Sequence, residues 1–184
     1  RKSAESAVQD RADQMTALRQ VDAEITSTLE LDQVLLFSLN ASVSLGAADS
    51  GFIVLLDERD VKQVHAYGGY SYLEEKEAPL RLYGTASRVV KREKPEYIAD
   101  VSVDPDYSPD IATSQAMMAF PLISRHRVIG VMVLETNDRT RFSQEVFEFL
   151  NLLTNRLAAA IDNAWLYQLS RTQLEELQQL YTQV

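Results

Sequence analysis

Two histidines and no cysteine restrict the nucleophilic and metal chemistry open to this chain. A Ser- or Thr-based nucleophile needs a base beside its hydroxyl. His126 falls in Ser124-Arg125-His126-Arg127, a turn between two apolar runs, and His65 falls inside the run Val61 to Tyr67. There is no His-x-x-x-His, no phosphate-cradling Gly-rich loop and no dinucleotide fingerprint. The lack of cysteine excludes disulfides, thiolate zinc sites, cysteine nucleophiles and thioether-linked chromophores. The reading is a chain that is not an enzyme.

Asp100, Asp104, Asp106 and Asp110 lie in one stretch, and hard cations take carboxylates from flexible loops. Pro105 and Pro109 restrict how that stretch wraps an ion, and EF-hand spacing is absent. The aspartates are therefore read as caps for neighbouring backbone, with no metal and no cofactor. Tyr70, Tyr72, Tyr83, Tyr97 and Tyr107 gather around the same stretch. Ligand pockets are mostly apolar with a few placed polar groups. The candidate pocket is Phe52, Val54, Met118 and Phe120 as floor, Tyr97 and Tyr107 as cover, and Asp100 and Asp104 as polar anchors. The alternative is that these residues fill an ordinary core.

With 184 residues, 46% hydrophobic and 24% charged, the chain reads as one globular domain with additional helix. A net charge of −9 argues against a nucleic-acid backbone as partner, because phosphates need clustered Lys and Arg. The nearest basic cluster, Arg88, Lys91, Arg92 and Lys94, is interrupted by Glu93 and reads as a solvated face. The longest apolar run, Val128 to Leu134, is strand length and far short of the roughly 20 residues that span a bilayer. The first residue is Arg1 and no signal-peptide pattern follows, so the expectation is a cytoplasmic segment of a longer protein that carries any membrane anchor elsewhere.

The elements that must position these residues follow from periodicity and punctuation. Residues 1–30 lack Gly and Pro. Ala4, Val8, Arg11, Met15, Leu18, Asp22, Ile25 and Leu29 follow heptad spacing, consistent with a coiled-coil-like helix or with a helix lying on its own domain. A second helix is expected from about Gln33 to Leu45, with Asp32 as N-cap and Gly46 as left-handed C-cap. Gly51 to Leu56 reads as a strand covered on both faces, pairing with Val61 to Tyr67. Tyr70 to Glu77 reads as loop or frayed helix, and Pro79 to Tyr83 as a short strand. A helix from Gly84 to about Arg92 stops before Pro95. Glu96 to Ala99 is extended, and Asp100 to Ser114 is loop. Gln115 to Ser124 and Arg127 to Glu135 form the clearest hairpin, with Pro121 implying an edge or a bulge. From Ser143 a helix about 60 Å long runs onward, too long for one small domain. Its apolar stripe is Leu150, Leu153, Leu157, Ala160, Ala164 and Tyr167, extended by Leu174, Leu177 and Tyr181.

This order and several local motifs resemble the GAF family over about Leu31 to Tyr167. The matching stretches are Leu45-Gly46-Ala47-Ala48-Asp49-Ser50-Gly51, Gly84 with Val89-Val90, Pro95, Ile98, Asp100 and Asp104-Pro105, then Pro121-Leu122 with Val128-Ile129-Gly130-Val131. Arg141-Phe142-Ser143 then leads into Leu157 to Ala164. The resemblance implies an α+β fold with a five- to six-stranded antiparallel sheet and helices on both faces. It also implies long N- and C-terminal helices flanking the domain, and a ligand pocket beneath Tyr70 to Ser114. Cyclic-nucleotide binders of the family carry Asn-Lys, then Phe, then Asp-Glu. Asn137 and Phe142 match, but Asp138 takes the Lys place and Val146-Phe147 the Asp-Glu place, which leaves Asn137 and Phe142 a structural role. The family's methionine sulfoxide reductase chemistry requires cysteine. Haem ligation would fall to His65 or to an unusual ligand.

The expected organisation is a helix over residues 1–30, a GAF domain over 31–167 and a connector helix over 168–184. The expected function is that of a regulatory module in a signal-transduction protein. It would homodimerise through Met15, Leu18, Ile25, Leu153, Leu157, Ala160, Ala164 and Tyr167 and relay a signal to an output domain such as a histidine kinase, a diguanylate cyclase or a DNA-binding activator. The alternative is a receptor for a non-covalent small molecule, such as a nucleotide or a tetrapyrrole, whose dimer is incidental.

Overall fold

The computed structural model describes residues 2–26, 30–58, 60–75, 81–111 and 113–183. One antiparallel sheet contains β1 (Ser50–Asp57), β2 (Asp60–Tyr67), β3 (Glu96–Ile98), β4 (Ala116–Ser124) and β5 (Arg127–Thr136) in the order β2-β1-β5-β4-β3. The helices are α1 (Lys2–Thr26), α2 (Leu31–Gly46), α3 (Gly84–Arg92) and α4 (Gln144–Thr182). This is the α+β arrangement expected, with five strands. Residues 79 and 80 of the expected short strand lie outside the described residues, and 81–83 are not strand.

The hairpin between β4 and β5 turns at Arg125 and His126, both with positive φ (51° and 63°), a twist that suits a two-residue connection. Pro121 sits past the end of β3, which pairs only with Met117, Met118 and Ala119, so its missing N–H faces an edge without a neighbour. Ser143 caps α4 by accepting the Val146 N–H at 3.2 Å.

Two local expectations are corrected. The left-handed residue after α2 is Ala47 (φ 52°), and the Ala48 N–H donates to the Val43 carbonyl at 3.0 Å. Gly46 is instead the close-contact point with α4, since a Cβ there would lie 3.0 Å from Leu150 Cδ1. Asp32 is not the N-cap, because Glu30 precedes the first turn. The Asp32 carboxylate accepts Gln63 Nε2 at 2.6 Å and lies 2.8 Å from His65 Nε2, tying α2 to the edge strand β2.

The sheet separates two apolar clusters. On one face α2 and α4 pack on Ile53, Leu55, Met118, Phe120, Leu122, Met132 and Leu134. Leu18 and Val21 near the end of α1 join that cluster, and Arg156 of α4 bonds Asp22 at 2.5 Å. On the other face Phe52, Val54, Met117, Ala119, Val131 and Val133 meet α3 and the segment 68–75. At the entry to α4, Asp49 accepts the Asn137 N–H at 2.7 Å, the Thr136 hydroxyl at 3.0 Å and Arg141 Nη1 at 2.7 Å. Burial alone would raise its carboxyl, and these donors hold it below the usual range.

No helix among the described residues is long and apolar enough to cross a membrane. Gly130 of β5 sits where a Cβ would come within 2.2 Å of the Val54 carbonyl oxygen. Gly130→Ala is therefore expected to spread β1 from β5 and lower unfolding stability by about 1–3 kcal/mol, read from urea titration.

Candidate ligand cavity

A cavity of about 440 Å³ lies on the sheet face away from the terminal helices, within the range of small-molecule sites. Its floor is Phe52 and Val54 of β1, Met117 of β4 and Val133 of β5, with Val61 and Val64 of β2 at one side. Phe52 stands directly across from Val133 in the register, which sets these two floor residues side by side. Segment 68–75 contributes Tyr70, Tyr72 and Leu73, and the approach to α3 contributes Arg81, Leu82 and Tyr83. The first turn of α3 adds Gly84 to Ala86, and the loop before β4 adds Tyr107, Ser108 and Asp110.

Polar contacts hold these walls. Glu135 of β5, fully buried, accepts the hydroxyls of Tyr70 and Tyr107, the latter at 2.8 Å. Burial pushes the Glu135 carboxyl above its usual range, against the pull of the Tyr70, Tyr107 and Ser114 hydroxyls. Burial, with the Glu135 charge behind it, in turn holds both tyrosines neutral far above the usual phenol range. Nearer the opening, Tyr83 donates to Asp110.

Arg88 of α3 anchors the covering loop. Its guanidinium reaches Glu96 at 2.5 Å and both Asp104 and Asp106 at 2.7 Å, and the Thr85 hydroxyl donates to Asp104 at 3.1 Å. The Arg88 bonds, foremost, hold the Asp104 carboxyl below its usual range. The backbone needs Gly84 here. Its φ is +59°, and a Cβ would lie 2.7 Å from the Asp106 carbonyl oxygen, so only glycine lets the loop close on α3.

The cavity brings together Phe52, Val54 and Tyr107 from the expected site. It does not include Tyr97, Met118 or Phe120. Strand alternation turns Met118 and Phe120 to the helix face, where Phe120 stacks on Phe147 at 5.4 Å. Tyr97 stacks on the same Phe147 at 6.0 Å and donates to the Phe142 carbonyl at 3.0 Å. Asp100 and Asp104 do not line the cavity. Asp100 accepts from the backbone and hydroxyl of Ser102, and Asp104 is taken by Arg88. Arg88 is also not part of a solvated basic face, although Lys91, Arg92 and Lys94 are exposed.

Met117, one residue from the expected floor, is the floor residue of β4, and only the register decides between the two. Glu135 is missing from the expected site, and its one signal in the sequence is an acid at the end of an apolar strand. His65 lies between Asp32 and Glu74 and is absent from the cavity lining, which removes it as a haem ligand there. Among the described residues no group of His, Asp and Glu is arranged to hold a metal ion.

A family model described as a GAF domain matches residues 28–162. Among solved structures, the GAF domain from a Coxiella burnetii phosphoenolpyruvate-protein phosphotransferase is similar at 21% identity and a TM-score of 0.70, covering 84% of this chain and 96% of that one. The free methionine-R-sulfoxide reductase from Neisseria meningitidis, in complex with its substrate, is similar at 16% identity and a TM-score of 0.70, covering 84% and 91%. A GAF domain/HD domain protein from Geobacter sulfurreducens is similar at 16% identity and a TM-score of 0.63, covering 77% and 98%. At these identities the likeness is one of fold. No curated protein matches the chain.

The raised Glu135 carboxyl has a signed consequence. A carboxyl raised on folding contributes stability that is fully present below its unfolded pKa, near 4.5, and is lost as pH rises through the folded value. Glu135→Gln cannot ionise, so its stability relative to wild type is expected to improve as pH rises from about 4 to about 8, read from urea unfolding across that series.

Proposed function

This chain belongs to the GAF domain family, and from that premise we propose that it is a regulatory module. Its cavity takes a small molecule, its terminal helices join two copies, and α4 carries the state of the cavity to an output domain of a signalling protein. The reading is non-enzymatic. The chain has no cysteine, and the Tyr70, Tyr83 and Tyr107 hydroxyls and the carboxylates they meet are engaged in holding the cavity walls.

The observation that carries this reading is the stripe on α4. The helix has 39 residues, about 58 Å at 1.5 Å per residue. Leu150, Leu153, Leu157 and Ala164 are buried in the chain's own core, with Leu18 of α1 in the same cluster. The expected dimer residues Leu18, Leu153, Leu157 and Ala164 are thus already covered within one copy. Ala160 is half-buried, and the side chain of Ile25 lies outside the described residues. The stripe then continues in the open: Tyr167, Leu174, Leu177 and Tyr181 are 45%, 60%, 52% and 82% exposed. Val8 and Met15 of α1 are exposed as well. An apolar seam of this spacing is stabilised by a partner helix, and a second copy supplies one by symmetry.

The path from cavity to helix supports a relay. Met117 and Val133 face the cavity while their neighbours Met118 and Leu134 face the helix-side core, so the same strands form both surfaces. A second reading, a receptor whose dimer is incidental, is favoured by the cavity itself.

Light scattering across a concentration series should show a dimer. Leu174→Lys with Leu177→Lys should weaken it by about a hundredfold or more while the melting curve of the globular part is kept, because both residues are exposed. A wild-type chain that stays monomeric at every concentration would overturn the dimer, and unchanged ligand binding by the monomerised variant would favour the second reading.

A further inference from the structure

We propose that the cavity selects organic cations, amines or quaternary ammonium groups carried on an apolar body. This deepens the reading of the cavity as a ligand site and rests on it. Tyr70, Tyr72, Tyr83 and Tyr107 all line the space. Their hydroxyls are already engaged: Tyr70 and Tyr107 donate to Glu135, Tyr83 donates to Asp110, and Tyr72 is hydrogen-bonded with Tyr83. What these side chains have left to offer a ligand is their aromatic rings. A ring attracts a cation through its quadrupole, and a phenol that donates to a carboxylate is the more electron-rich for it.

Charge points the same way. Asp110 lines the cavity and Glu135 stands behind Tyr70 and Tyr107. Hydroxyl groups are the side-chain partners of both, and among the described residues no Lys, Arg or His lies within ion-pair distance of either. Arg81 also lines the space, exposed, and brings one positive charge against the two carboxylates. Arg88 is consumed by Glu96, Asp104 and Asp106. The negative field registers on the walls themselves, because Glu135 or Asp110 adds to burial in holding Tyr70, Tyr83 and Tyr107 neutral. An anion entering this space meets that field. A neutral hydrocarbon meets the apolar floor but gains nothing from the carboxylates.

The test compares three probes of similar body on the full chain: phenyltrimethylammonium, its uncharged isostere tert-butylbenzene, and benzenesulfonate. Calorimetry gives the affinities, and the methyl shifts of Val54, Val64 and Met117 report whether binding is in the cavity. The cation is expected to bind at least about tenfold more tightly than tert-butylbenzene, with the sulfonate weakest. Asp110→Asn, which keeps an amide oxygen to accept the Tyr83 hydroxyl, should cost the cation about fivefold and tert-butylbenzene markedly less. If tert-butylbenzene or the sulfonate shifts those methyls and binds as tightly as the cation, the cation inference is overturned while the ligand site stands. If no probe shifts those methyls, the ligand-site reading falls and takes this inference with it.

Discussion

The sheet is covered on both faces, and that constraint governs the rest of the molecule. β1 and β5 bury nearly every side chain, whichever way it points. In a pleated strand, neighbouring residues must therefore serve different cores. Phe52 belongs to the cavity and Ile53 to the helices, and Met117 and Met118 divide in the same way. Neither face can be repacked alone, because both hang from one backbone held by ladder hydrogen bonds. The close fit at Gly130, against the Val54 carbonyl, shows how little slack that backbone has.

Polar side chains do a different task, since they fix the covering segments that apolar contact leaves loose. Arg88 joins α3, β3 and the loop before β4 through three carboxylates. The Asp104 side chain is only 5% exposed, so the guanidinium also relieves an otherwise costly charge. Glu135 plays the matching part from inside the sheet, receiving one tyrosine from each covering segment. The cavity thus has an apolar floor and a cover held in place by ionic and hydroxyl contacts.

The fold was largely legible because its signals are local. Apolar runs bounded by Gly, Pro and Asp marked β1, β4 and β5, and Ser143 marked the start of α4. The site was legible only in part because it depends on parity between strands. The side-chain period is two, so an error of one residue moves a candidate through the sheet, which is why Met118 stood in for Met117. The same limit applies to the aspartates. Their spacing showed a capping loop, but Arg88, the residue that organises it, lies on a helix distant in sequence. Gly46 illustrates a further limit. A glycine at a helix end suits a left-handed cap, and nothing nearby in sequence shows that Leu150 will press against it.

Both margins of the sheet are blunted. At one, β3 ends early and Pro121 offers no donor along the rest of β4. At the other, the Ala66 N–H on β2 is taken by the Glu74 carboxylate. A foreign strand therefore finds a ladder of only three residues beside β3 and one interrupted at Ala66 beside β2, which disfavours amyloid-like or strand-swapped association.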